Sequence, residues 1–184
     1  MKIDGHGQAK VLTPDELKKL FSDGFLSARD RALFGICLYT GCRISEALAL
    51  RVEDIQGNLI TLRKGTTKGK QNTRQIDMHP ALATLLDAYE KPEHGALFPG
   101  KRGVTERLTR SAAHKVLKEG CDRIALVGVS THSFRRTALT QMSAAGVPLR
   151  AIQEVSGHLS LSELQKYLEV SPDQRRAAVL VVGF

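Results

Sequence analysis

Two guanidiniums, two imidazoles and one phenol are the side chains of this sequence that could do chemistry together. Arg43 sits inside Thr40-Gly41-Cys42-Arg43-Ile44-Ser45-Glu46; His132 and Arg135 lie three apart; His158 follows Gly157; Tyr167 comes nine residues after His158. A guanidinium offers a planar fork of donors that matches phosphate oxygens two at a time. An imidazole can donate, accept or move a proton near neutral pH. A phenol becomes a nucleophile only beside groups that activate it and stabilise what it attacks. Such a set can hold a phosphate diester and attack it.

Each residue alone has a plainer explanation. Residues i and i+3 share a helix face, so Glu46 can hold the Arg43 side chain in one rotamer, yet a surface ion pair is equally served by that spacing. His132 and Arg135 point the same way from a helix and could contact one anion; a satisfied core histidine beside a surface arginine is the commoner pair. Arg136 points elsewhere. Gly157-His158 places His158 at a helix end, where its pKa is open to tuning. A lone tyrosine such as Tyr167 is usually a half-buried packing residue. Arg63, Lys64, Lys68 and Lys70 lie along one basic turn, and such runs are usually solvated.

These residues need a frame. Thr13-Pro14-Asp15-Glu16 reads as a helix start, with Thr at the N-cap, Pro at the first helical position and Glu closing a capping box. Leu17, Leu20 and Phe21 continue it until Ser22-Asp23-Gly24. A second helix spans about Ala28 to Tyr39, Gly41 breaks it, and a short third helix begins near Arg43. Leu59 to Leu62 is β-like, and Arg74 to Met78 alternates with period two, giving a hairpin or three-stranded antiparallel sheet with a long basic turn. Pro80 opens a helix that ends before Lys91-Pro92. Lys91 to Glu106 reads as a loop anchored by Leu97-Phe98. Helices follow over Leu108–Glu119, Thr131–Ala145 and Pro148–Ser156, and Ser160 or Ser162 caps a last one carrying Tyr167. The final stretch, Ala177 to Phe184, is too apolar to remain solvated and is expected to pack on its own domain or on a neighbour. The fold class is therefore mainly α with a small antiparallel sheet.

The chain has 184 residues, enough for one domain with a real core. Its 42% hydrophobic and 25% charged content are those of a globular protein. No apolar run is long enough for a membrane span, and the polar start is no secretory signal. Cys37, Cys42 and Cys121 lack metal-ligand spacing, and an odd count argues against a disulfide framework, so a reducing cytoplasm is expected. Lys and Arg total 27 against 19 Asp and Glu, a net charge of +8 that favours a polyanionic partner.

As a whole the pattern resembles the tyrosine recombinases, or phage integrase family. The matching segments are Thr40 to Leu48, Thr67-Lys68-Gly69-Lys70, His132-Ser133-Phe134-Arg135-Arg136-Thr137, Gly157-His158 and Tyr167. Their order is similar to that family's Arg–Lys–His-x-x-Arg–His–Tyr set, over about Leu12 to Val170. The resemblance implies a tyrosine recombinase catalytic-domain fold and site-specific DNA strand exchange through a 3′-phosphotyrosine. Arg43 and Arg135 would clamp the scissile phosphate. His132 and His158 would hydrogen-bond it, with His132 accepting the proton of Tyr167. Lys68 would protonate the leaving 5′ oxygen, Tyr167 would attack phosphorus, and Glu46 would support the site. No metal, ATP or other cofactor is implied, because fixed cations neutralise the transition state. The implied partner is double-stranded DNA, bound by a homotetramer, with a monomer expected without DNA and no membrane association.

The sequence departs from the family in three places. The turn after Lys68 is longer by about one residue than the commonest spacing, so Lys70 is an alternative to Lys68. Glu163-Leu164 stands where many members have small hydroxyl residues. Only about twelve residues precede the first helix of the unit, where typical members have a further helical domain; the sequence is then part of a longer chain or akin to the short recombinases, such as the fimbrial DNA invertases. On this reading residues 1–11 are a flexible leader, 12–170 the catalytic domain and 171–184 a tail that neighbouring protomers can exchange. A type IB-like topoisomerase and a non-cutting DNA-binding regulator are the alternatives on the same fold.

Overall fold

The structure, a computed structural model, describes residues 8–63, 73–101, 103–165 and 172–182. The first helix, α1 (Pro14–Lys19), starts with the expected capping box: Thr13 Oγ1 accepts from the Glu16 N–H, and a Glu16 carboxylate oxygen accepts from the Thr13 N–H. It continues through a wider π-helical turn, Leu20–Gly24. Helix α2 (Ala28–Thr40) is buried on nearly every side over its last three turns, as the central helix of a domain must be. Thr40 Oγ1 donates to the Ile36 carbonyl and accepts from the Cys42 N–H, closing the helix, and Gly41 turns the chain at φ 61°. Helix α3 (Ile44–Ala47) then starts immediately after Arg43.

Strands β1 (Ile55–Gln56), β2 (Leu59–Leu62) and β3 (Arg74–Asp77) form an antiparallel sheet in that order. The register sets Ile60 opposite Ile76 and Leu62 opposite Arg74. Period two then puts Ile60, Leu62 and Ile76 into the core, and Arg74 on the same inward face. Helix α4 (Pro80–Asp87) packs against α2 through Leu82 and Leu86.

The segment expected as a loop contains a second two-stranded ribbon, β4 (Pro99–Gly100) and β5 (Gly103–Arg107). Its short strands lack an apolar alternation, so no sequence period announces it. Leu97 and Phe98 are fully buried before it, as expected of an anchor.

Helix α5 (Arg110–Arg123) is capped by Thr109, and α6 (Thr131–Ala144) runs against α2. Phe134 of α6 joins Phe25 and Phe34, with ring centroids 5.0 Å from Phe34 and Phe25 stacked 4.7 Å from it. Helices α7 (Leu149–Ser156) and α8 (Leu161–Gln165) sit on α6 through a smaller core of Leu139, Ile152 and Leu164. Leu164 is thus the buried anchor of α8, while Ser160 Oγ caps it by accepting from the Glu163 N–H. The last element, α9 (Pro172–Leu180), was expected only as an apolar tail; its described side chains are exposed and touch no core. No described helix is long and apolar enough to cross a membrane.

Candidate active site

Three chain turns meet where the sequence residues converge: the α2–α3 turn, the start of β3, and the α7–α8 turn. Arg135 joins the first to the last. Its guanidinium is almost wholly buried, and Nη1 donates to the Gly41 carbonyl at 2.7 Å and to the Ser156 carbonyl at 2.8 Å. Both acceptors lie at helix C-termini, where unpaired carbonyls favour a cation. Nη2 lies 2.9 Å from His158 Nε2.

His158 is buried beside it. Arg135 Nη2 is also 3.2 Å from Nδ1; since an arginine only donates, the nearer nitrogen, Nε2, is assigned no proton. Nδ1 lies 2.8 Å from Ser156 Oγ, whose hydroxyl is also 3.3 Å from the Gln153 carbonyl. The consistent assignment is Ser156 O–H donating to Gln153 and Nδ1–H donating to Ser156, with Nε2 bare toward Arg135. Burial first, then the charges of Arg135, Arg43 and Arg74, push the imidazole pKa down to about 3. The ring is neutral at physiological pH because burial, and then the three nearby cations, disfavour its charged form.

Glu46 is the counter-charge, and its side chain is fully buried. Oε2 accepts from the Arg43 backbone N–H at 2.7 Å, while the Arg43 guanidinium stays 3.9 Å away. Glu46 therefore fixes the backbone from which Arg43 projects more than it grips the side chain. The surface-pair explanation of Arg43 and Glu46 does not apply at a site this buried.

Oε1 accepts from Nη1 of Arg74 at 3.0 Å. Arg74 is the residue that reading the sequence missed as a site residue. The signal was present: a period-two strand puts Arg74 on the same inward face as Ile76, and an inward arginine needs a partner. Among the described residues, Arg43 Nη1 and Arg74 Nη2 are buried and make no hydrogen bond. Buried donors without acceptors are costly, and an arriving anion would satisfy them.

His132 lies exposed in the first turn of α6, one turn before Arg135. Arg136 does point elsewhere, donating to the Ala9 carbonyl at 2.9 Å. Arg63 pairs with Asp54. Lys64, Lys68, Lys70 and Tyr167 lie outside the described residues.

A family model described as the phage integrase family matches residues 10–174. The chain belongs to the phage integrase family. Among curated members it is 33% identical over 181 residues to tyrosine recombinase XerD of Mycobacterium tuberculosis strain H37Rv, an alignment covering 88% of this chain and 57% of that one. It is 33% identical over 176 residues to tyrosine recombinase XerC of Herpetosiphon aurantiacus, covering 89% and 56%. This integrase-family chain thus spans little more than half the length of the curated relatives it matches. The XerA recombinase crystal structure has the same fold, with a TM-score of 0.77 at 23% identity, covering 94% of this chain and 65% of that one. The XerH recombinase bound to its difH substrate before cleavage aligns with a TM-score of 0.72 at 22% identity, covering 96% and 55%. The expected fold class, mainly α with a small antiparallel sheet, is thereby established.

Proposed function

We propose that this chain is the catalytic unit of a site-specific DNA recombinase that cuts and rejoins strands through a 3′-phosphotyrosine. The observation that carries the reading is the buried cation cluster: Arg43, Arg74 and Arg135 around one carboxylate, with a neutral His158 and two buried donors lacking acceptors. An excess of fixed positive charge in a site that excludes water favours a dianionic, pentacoordinate phosphorus far more than a solvated monoanion. Family membership supports the same chemistry, and XerH was captured on DNA in a pre-cleavage complex.

In this reading Arg43 and Arg135 bind the non-bridging oxygens with His132, and His158 joins them by turning a ring N–H to the phosphate when the anion takes over Arg135 Nη2. Tyr167 attacks phosphorus, His132 takes its proton, and Lys68 (or Lys70) protonates the departing 5′ oxygen. Charge is neutralised by groups already in place, so no step requires a cofactor. Residues 12–170 form the catalytic unit, acting on duplex DNA as a homotetramer, and residues 171–184 pass to a neighbouring protomer.

The test begins with a library of randomised duplexes, each carrying a nick beside the central sequence. Covalent complexes isolated under denaturing conditions give the preferred site by sequencing. Two copies of that site on differently labelled DNAs should then exchange strands. Relaxation of a supercoiled plasmid with no exchange at any protein concentration would favour the topoisomerase alternative, and tight binding with no adduct would favour the regulator.

A further inference from the structure

We infer that Arg74 is a positioning residue of this site: it neutralises Glu46 and fastens the α7–α8 turn so that the Arg43 guanidinium stays available for the phosphate. The inference rests on the recombinase reading above. Glu46 has two oxygens and two claimants. One oxygen holds the Arg43 backbone at 2.7 Å, and the other is taken by Arg74 at 3.0 Å, leaving the Arg43 guanidinium 3.9 Å from the carboxylate. Without Arg74, a buried carboxylate would keep a single hydrogen bond, and the nearest remaining cation is the Arg43 side chain. Pairing with it would withdraw the fork meant for the substrate.

The other arm of Arg74 reaches the far side of the site. Nε donates to the Val155 carbonyl at 3.1 Å, next to the Ser156 carbonyl that Arg135 holds. Two guanidiniums thus cap the C-terminus of α7 side by side and fix the residues leading to His158. Gly157 makes room: its φ is 66°, and a Cβ there would lie 2.5 Å from Arg74 Nη1. One side chain therefore spans the sheet, α3 and the α7–α8 turn, and it opens the strand that follows the segment bearing Lys68 and Lys70.

The test uses the whole chain and the nicked-duplex library, read as single-turnover adduct formation. Wild-type adduct secures the reading on which the inference rests. Arg74→Gln is expected to cleave about 100-fold more slowly, the scale of a small displacement of reacting groups, with DNA affinity within about threefold. Glu46→Gln combined with Arg74→Gln should cleave faster than Arg74→Gln alone, because the competing carboxylate is gone; loss of a merely structural contact would not be relieved by a second loss. Cleavage by Arg74→Gln at the wild-type rate, or a double variant no faster than the single one, overturns the inference and leaves the recombinase reading intact. If Arg74→Gln does not unfold cooperatively, Arg74→Lys replaces it, since it keeps the charge but makes one contact where arginine makes two; cleavage between wild type and inactive supports the role and wild-type cleavage overturns it. If wild type gives no adduct, an NMR titration of the histidines decides without DNA. The His158 pKa should rise in the Arg74 variant that loses the charge, and an unchanged titration overturns the inference.

Discussion

His158 shows how a single side chain reports on the whole site. Its folded pKa of about 3 lies below the ordinary imidazole value of about 6.5. Below about pH 6.5 the unfolded chain takes up a proton at this ring that the folded chain refuses. The contribution of the neutral ring to stability is therefore fully present above about pH 6.5 and is lost progressively as the pH falls toward 3. His158→Asn should flatten the stability–pH profile in that window, measured by urea unfolding at stepped pH; an unchanged profile would show that the ring is not held neutral. The lysine is a second prediction at this scale. A substrate with a 5′-bridging sulfur leaves without protonation, so it should rescue cleavage by Lys68→Ala; rescue of Lys70→Ala instead would move the proton donor to Lys70. That Arg43, Arg135 and His158 should lie near one another was legible in the sequence, because their types follow a fixed order that resembles the family's. Arg74 was not, because its partners Glu46 and Val155 are 28 and 81 residues away in sequence and a charged residue in a short strand is commonplace.

At the scale of elements, two left-handed glycines do different work. Gly41 ends α2 and turns its carbonyl to Arg135, and a Cβ there would make only ordinary contacts, with Leu139 at 3.5 Å and Ala138 at 3.9 Å. Gly157 ends α7 with a guanidinium lying where a Cβ would go. Gly41→Ala should cost about 1 kcal/mol of backbone strain. Gly157→Ala carries similar strain and also displaces Arg74, so it should cost about 2–3 kcal/mol and reduce cleavage more than Gly41→Ala does. Denaturant melts and adduct rates for the two variants test that ordering; equal effects would mean that Arg74 yields without consequence. Helix positions were legible here because caps and breakers sit at their ends: Thr13 with Pro14, Gly41, Gly146 and Gly157. The β4–β5 ribbon was not, since its strands carry no period and depend on tertiary contacts.

At the scale of the molecule, one core built on α2 and α6 carries the arginines and His132, and a satellite core of Leu139, Ile152 and Leu164 carries His158. The described part of the C-terminal apolar stretch belongs to neither, with Val181 and Val182 more than four-fifths exposed. Covering large apolar side chains is worth about 1.5–3 kcal/mol each, so in the proposed tetramer a neighbouring protomer would gain by taking them. Val181→Ser with Val182→Ser should leave the melting midpoint of the DNA-free chain within about 2 °C, as surface changes do, while lowering the yield of multi-protomer complexes on DNA in sedimentation. A large fall in the melting midpoint would instead place the tail on its own domain.

A cation-lined phosphate site served by one tyrosine, as proposed, would leave a covalent bond between Tyr167 and DNA. Wild-type protein and Tyr167→Phe are each incubated with the selected nicked duplex, and the denatured complexes are digested for peptide mass spectrometry. The wild-type adduct should carry DNA on Tyr167 through a 3′-phosphate, with a free 5′-hydroxyl on the released strand and no adduct from the variant. An adduct that survives in Tyr167→Phe, or that maps to another residue, would contradict the account.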